Sequence, residues 1–363
     1  MDIPLVDVKA QYAPLLGELE RRVAAVLASG RFVLGPEVRA FEDEVGAFVG
    51  AEAVGVANGT DALVLVLDAL GVGPGDEVVC PSFTFFATAE AIARRSATPV
   101  FADVDGTTLN LDPAAVAERL GPRTKAVLAV HLFGRPAPLD ELPDAVPVVE
   151  DAAQAFGATV GGRRIGSLGA AATFSFYPTK NLFCLGDGGL VTTTDPEVAD
   201  RVRLLRFHGS RDKETFEAIG YNSRLDELQA AALRLFLEHV EAWNAGRREA
   251  AARYAELGLG EVCELPPEEP GHVYHVYAVQ TPDRDRVAAA LRRAGIGCAT
   301  YYSTPLHLQP AFRSLGYGPG SLPETERLAR ETVALPLWPT ISVEEQEQVV
   351  ETVRAAVTAR AAS

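Results

Sequence analysis

Residues 53–70 read Ala-Val-Gly-Val-Ala-Asn-Gly-Thr-Asp-Ala-Leu-Val-Leu-Val-Leu-Asp-Ala-Leu. The stretch opens with a short apolar run, Ala53 to Ala57, which Asn58-Gly59-Thr60-Asp61 breaks. A helical segment follows through Ala62, Leu63, Leu65, Leu67 and Leu70. A run, a tight turn and a helix in that order begin a βαβ unit. Further apolar runs come at Glu77 to Cys80, Pro99 to Asp103, Lys125 to Val130, Val146 to Glu150, Thr173 to Phe176 and Leu190 to Thr194, with helical segments between them. This alternation predicts an α/β fold with a mostly parallel seven-stranded sheet flanked by helices. In such sheets ligands gather beyond the carboxyl ends of the strands, so the loops leaving those ends are where chemistry is expected.

Upstream, Leu16, Leu19, Val23, Val26 and Leu27 repeat at helical spacing and stop at Ser29-Gly30. Val38, Phe41, Val45 and Phe48 form a second amphipathic pattern after Gly35-Pro36. Downstream, one long alanine-rich helix is expected from about Leu225 to Leu257. Beyond Pro266-Pro267 the pattern restarts. Val273, His275 and Tyr277 read as a strand leading to Val279, Arg286 to Arg293 as a helix, Ile296 to Tyr301 as a second strand, and a last helix begins at Val343. The expected division is a large domain over residues 1–245 and a smaller C-terminal α/β domain over 246–363.

The 363 residues carry 49 acidic against 33 basic side chains, a formal charge of −16. Neither nucleic acid nor an anionic membrane is an expected partner for such a chain, and any phosphate it holds needs local donors. Cys80, Cys184, Cys263 and Cys298 are widely spaced with no C-x-x-C pair, which predicts reduced thiols, no disulfide framework and no metal site. Acidic residues stand where a signal peptide needs basic ones, and no apolar run reaches the ~18 residues of a membrane span. A soluble cytoplasmic protein is expected.

Four motifs fall at the expected ligand edge. Asn58-Gly59-Thr60-Asp61 places a glycine and a hydroxyl at a helix start, which suits either a phosphate seat or an ordinary helix cap. Pro81-Ser82-Phe83-Thr84-Phe85-Phe86 offers phenylalanines for the core or for stacking on a planar ring. Asp151 ends the run Val148-Val149-Glu150, with Gln154 three residues on; a carboxylate there needs a cation or a donor, or serves as a cap. Lys180 lies in Phe-Ser-Phe-Tyr-Pro-Thr-Lys-Asn-Leu-Phe-Cys-Leu-Gly-Asp-Gly-Gly, residues 174–189, between a strand end and a glycine-rich turn. A phosphate seat, a stacking aromatic, a buried carboxylate and a lysine are together what pyridoxal phosphate requires.

The sequence resembles the nucleotide-sugar aminotransferases of the DegT and StrS type, which belong to fold type I of the pyridoxal-phosphate enzymes, the aspartate aminotransferase-like fold. The likeness spans nearly the whole chain, through Gly30 to Pro36, Asn58 to Leu63, Pro81 to Thr88, Glu150 to Gln154, Ser175 to Gly189, Gly220 to Gln229 and Pro305-Leu306-His307. The resemblance implies that Lys180 holds pyridoxal 5'-phosphate as a Schiff base and shuttles a proton, and that Asp151 pairs with the pyridine nitrogen. It implies that Gln154 contacts the ring hydroxyl, Phe85 stacks on the ring, and Gly59, Thr60 and Ser175 bind the phosphate. Asn222 would reach the phosphate in the neighbouring subunit, making the active unit a homodimer with shared sites. L-glutamate would leave its amino group on the cofactor, as pyridoxamine phosphate, for a nucleotide-linked ketosugar.

Tyr177 and Asp187 resemble relatives acting on 3-keto sugars, where those acting on 4-keto sugars more often carry histidine and glutamate. The expected acceptor is therefore a dTDP-linked 3-keto-6-deoxyhexose. Phe183 replaces a common glycine and Tyr301-Tyr302-Ser303 replaces His-Tyr-Pro, and each departure either reshapes the sugar pocket or packs a loop aromatic against the partner subunit. Tyr177, Tyr301, Tyr302 and His307 are the candidate substrate contacts. Rival readings are a 4-keto-sugar aminotransferase, a sugar dehydratase, which would carry histidine in place of Lys180, and a non-catalytic regulator on the same fold.

Overall fold

The computed structural model describes residues 2–358. Its strands are β1 (Glu52–Val56), β2 (Glu77–Pro81), β3 (Thr98–Ala102), β4 (Thr124–Val130), β5 (Val148–Asp151), β6 (Thr159–Val160), β7 (Arg163–Arg164), β8 (Ala171–Ser175), β9 (Gly189–Thr193), β10 (Tyr277–Gln280) and β11 (Thr332–Leu335). Seven of them form one sheet in the order β1-β9-β8-β5-β4-β2-β3. Every neighbouring pair from β8 to β3 is parallel. Only β9 runs the other way, between β1 and β8. The expected mostly parallel α/β sheet is what forms.

Side chains alternate across this sheet, and each face has its own apolar cover. Val54 and Val56 of β1 and Val191 of β9 join the cluster that includes Leu65, Leu67 and Ile92, from the helices Gly59–Ala69 and Ala87–Arg94. Ala53, Phe174 and Leu190 point the other way, against Phe41, Leu233 and Phe236 of the helices Pro36–Val49 and Glu227–Leu237. A separate cluster surrounds β10 and β11 and draws on Tyr254, Leu291 and Val353.

The structure corrects three expectations outside the sheet. The long helix is two, Glu227–Leu237 and Val240–Glu256, broken at Glu238-His239. The first half buries against the large sheet and the second against the cluster around β10, and the break lets each face its own core. The expected strand from Val273 begins only at Tyr277, because the amides of Val273 and Val276 go to the carbonyls of Gly134 and Phe133. Residues 296–301 form no strand. Ile296 and Ala299 make single bridges to Ile3 and Ala334, and the antiparallel partner of β10 is β11. That four-residue strand, wedged between the helix Pro323–Glu331 and Pro336, is too short to leave a period in the sequence. Among the described residues no helix is long and apolar enough to cross a membrane.

Candidate active site

Because β9 returns antiparallel, its first residue lies level with the last residues of two strands: Gly189 pairs with both Val56 and Ser175. Three backbone segments therefore meet at the carboxyl edge. A Cβ on Gly189 would lie 2.3 Å from the Asn58 carbonyl oxygen, and one on Gly59 would lie 2.7 Å from Ser175 Cβ. The helix Gly59–Ala69 starts at this point, capped by Asn58, whose side chain accepts from the Asp61 amide at 2.8 Å. Its first amides have no carbonyl of their own helix to reach, and the Ser175 hydroxyl lies beside them. Gly59, Thr60 and Ser175 are thus together at a helix start suited to an anion.

Asp151 closes β5 and is 5% exposed. Its carboxylate accepts from the Thr88 hydroxyl at 2.9 Å and the Ala153 amide at 3.3 Å. Burial pushes its pKa up, against these two donors and the charge of Lys180. A carboxylate so placed is stabilised by a cationic N–H, which is what a protonated ring nitrogen offers. Gln154, also buried, accepts from the Phe133 amide at 2.7 Å through Oε1 and donates to the Tyr302 hydroxyl at 3.0 Å through Nε2.

Lys180 sits in the excursion between β8 and β9, where its amide donates to the Tyr177 carbonyl at 2.8 Å. Burial lowers the pKa of its amine to about 8, with Asp151 pulling in the opposite direction. At that value a useful fraction of neutral amine exists near neutral pH. The next residue anchors the turn: Asn181 is 2% exposed and its Nδ2 donates to Asn244 Oδ1 at 2.7 Å and to the Val273 carbonyl at 2.9 Å.

The remaining candidates divide by exposure. Phe85, 59% exposed, presents its ring at the open edge, while Phe83 is buried and meets Tyr302 edge-on. Tyr177 and Asp187 are exposed, and Asn222 is exposed in a segment bridged to Phe207. Tyr302 stacks on Phe133 at 6.3 Å, and Tyr301 is tilted against the same ring. His307 is 1% exposed, with Nδ1 bonded to the Ser82 hydroxyl at 2.7 Å and Nε2 facing Glu326 at 3.3 Å, so it ties the loop after β2 to the helix Pro323–Glu331. Phe183 is likewise internal, packed on Phe236 and Trp243. Of the two readings of its departure, a pocket residue or an aromatic packed on the partner, it is neither, because it fills the core of its own chain.

Two further buried residues lie against these. Glu150, behind Asp151, accepts from the Gly166, Leu168 and Gly169 amides and lies 3.1 Å from His131 Nε2. Burial alone would raise its pKa, but these bonds outweigh it and the net shift is downward. His275, expected to be a strand residue, is buried beside the Lys180 turn. Burial, then the charges of Lys180 and Arg247, hold its pKa well below the usual value. An isolated histidine in an apolar run gives no sequence signal of such a place.

The chain matches the model of the DegT/DnrJ/EryC1/StrS aminotransferase family over residues 16–354. A Geobacillus stearothermophilus protein named pleiotropic regulatory protein is 45% identical over 362 residues, covering 97% of each chain. The dTDP-3-amino-3,4,6-trideoxy-alpha-D-glucose transaminase of Streptomyces venezuelae is 45% identical over 363 residues, covering 97% of this chain and 95% of that one. The crystal structure of S. venezuelae DesV in complex with a ketimine intermediate superposes with a TM-score of 0.94 at 45% identity, covering 98% of each chain.

Proposed function

The chain belongs to the DegT/DnrJ/EryC1/StrS aminotransferase family and is a sugar aminotransferase, and from that premise we propose that it moves an amino group from L-glutamate to a dTDP-linked 3-keto-6-deoxyhexose. The observation that carries the reading is the convergence at one sheet edge of Asp151, buried at the end of β5, Lys180, whose charge acts on it, and the Gly59–Ser175 helix start. Those residues fit pyridoxal 5'-phosphate. When bound, the cofactor supplies an electron sink for the negative charge that develops at the substrate carbon.

The side chains divide the remaining work. Gly59, Thr60 and Ser175 hold the phosphate, joined by Asn222 of the neighbouring subunit in a homodimer. Asp151 keeps the ring nitrogen protonated, Gln154 holds the ring hydroxyl, and Phe85 covers the ring and keeps water from it. The Lys180 amine anchors the cofactor and then takes and returns the proton that moves between the two carbons of the transfer. Tyr177, Tyr301 and Tyr302 line the approach of the sugar. We place this work in the cytoplasm, with the chain divided near residue 245 into a large and a small domain.

The 3-keto assignment draws support from Tyr177 and Asp187 and from the 3-amino sugar product named for the Streptomyces relative. The regulatory name of the Geobacillus relative carries no weight against catalysis, since a sensor has no need of both Lys180 and Asp151. The test is spectroscopic. Protein mixed with cofactor is expected to develop a visible absorbance band, to lose it with L-glutamate, and to regain it with a dTDP-linked 3-ketosugar. Protein that stays colourless overturns the proposed cofactor; recovery only with 4-keto or UDP-linked sugars overturns the proposed acceptor.

A further inference from the structure

The Asp151 carboxylate meets one donor on each oxygen, the Thr88 hydroxyl at 2.9 Å on Oδ2 and the Ala153 amide at 3.3 Å on Oδ1. Rotation about the last bond of an aspartate side chain is only softly restrained, so donors decide where its oxygens point. Thr88 makes the shorter of the two bonds. It is also 1% exposed, so bulk water does not compete for its hydroxyl.

Thr88 is itself held. An ionised carboxylate only accepts, so the single hydroxyl proton of Thr88 is committed to Asp151. The Thr84 hydroxyl, 3.3 Å from that of Thr88 in a residue 2% exposed, is then the donor to it. The backbone adds a second tie, because the Thr88 amide donates to the Phe85 carbonyl at 3.3 Å. One residue in the first turn of the helix Ala87–Arg94 thus fastens both Asp151 and the segment that presents the exposed Phe85 ring.

We propose that Thr88 is a positioning residue for Asp151: its hydroxyl, backed by that of Thr84, fixes the rotation of the carboxylate and leaves its other lone pairs for a cationic ring N–H. The inference rests on the proposed role of Asp151. The same hydroxyl bears on the charge of the group. Burial favours the neutral acid, and Thr88, the Ala153 amide and the charges of Lys180 and His131 oppose it.

Two substitutions separate donor from packing: Thr88→Val keeps the shape and loses the hydroxyl, and Thr88→Ser keeps the hydroxyl and loses the methyl group. The test begins with full-length, cofactor-free protein labelled with ¹³C-carboxyl aspartate, its Asp151 signal assigned by its loss in Asp151→Asn. Thr88→Val is expected to raise the affinity of that carboxylate for a proton about tenfold or more, read as an upward move of its titration midpoint, and Thr88→Ser to leave it near wild type. An unmoved midpoint in Thr88→Val overturns the proposal. In the loaded enzyme, Thr88→Val is expected to slow single-turnover amine uptake from glutamate roughly tenfold, while Thr88→Ser keeps most of the rate. Equal losses in the two variants, or a loss in Thr88→Ser alone, reduce Thr88 to packing and overturn the proposal. If Thr88→Val does not fold, Thr88→Ala is judged by the same outcomes. Near-normal turnover by Asp151→Asn would instead refute the proposed role of Asp151, a distinct outcome because the titration is read without cofactor or substrate.

Discussion

Burial and charge act in opposite directions on Lys180 and Asp151. Burial favours the neutral form of each, and the field of the other favours the charged form. For Lys180 burial wins, and the amine of the folded protein titrates about 8. Below that value it is mostly ammonium and cannot attack a carbonyl. The rate at which cofactor-free protein captures pyridoxal phosphate should therefore climb about tenfold per pH unit up to about 8 and then level off. A rate still climbing at that slope above pH 9 would mean that the amine keeps the ordinary value of about 10.4. Lys180→Ala should abolish turnover while the protein still holds cofactor, as a steady-state assay beside a dialysis measurement would reveal. Asp151→Asn should cost at least about a hundredfold in turnover with an unchanged circular dichroism spectrum, because its contribution is electrostatic. Near-normal rates would remove it from the site.

At the scale of elements, the edge depends on close backbone approach. Gly59→Ala sets a methyl group 2.7 Å from Ser175 Cβ, so the helix start must shift away from β8. Overpacking of this kind costs about 1–3 kcal/mol, and cofactor affinity should fall about tenfold or more with it, as a titration followed by absorbance would measure. A second capping device lies across the sheet. Glu227, 1% exposed, accepts from the Gly35, Glu37 and Val38 amides at 2.7, 2.9 and 3.0 Å and so caps the helix Pro36–Val49 from another helix. These bonds join two stretches of the family resemblance, Gly30 to Pro36 and Gly220 to Gln229. The strands of the large sheet were legible because short apolar runs alternate with helical segments along the chain. Asp151 was legible because it follows such a run directly, and Lys180 because it lies between the end of one and a glycine-rich turn. His275 was not, because backbone bonds to Phe133 and Gly134 place it, and those partners lie about 140 residues away. The break at Glu238-His239 was hidden for a similar reason: the two halves of that segment share one helical period and differ only in which core receives them.

At the scale of the molecule, the exposure of Asn222 sets it apart from the buried Asp151 and Gln154, as the role proposed for it in the neighbouring subunit requires. Lys180→Ala and Asn222→Ala subunits are each expected to be impaired alone. Mixed in equal amounts and refolded, they should regain about a quarter of wild-type activity. Half of the dimers would then be mixed, and each mixed dimer has one intact site. No recovery would mean that each site is built from one chain. The legible part of the molecule was its sheet and the motifs at one edge. The C-terminal part of the chain was read less well because its sheet is two short strands brought together from residues 277–280 and 332–335, with no repeating pattern between them.

The return of β9 to the level of Ser175 and Val56 has an evolutionary consequence. The lysine segment leaves the sheet and re-enters it at adjacent positions, so a residue inserted or deleted between Tyr177 and Asp187 alters the segment without slipping any strand past its neighbour. On the roles proposed for Tyr177 and Asp187, acceptor preference can therefore diverge within a fixed scaffold, and grafting residues 176–188 between relatives is expected to exchange it.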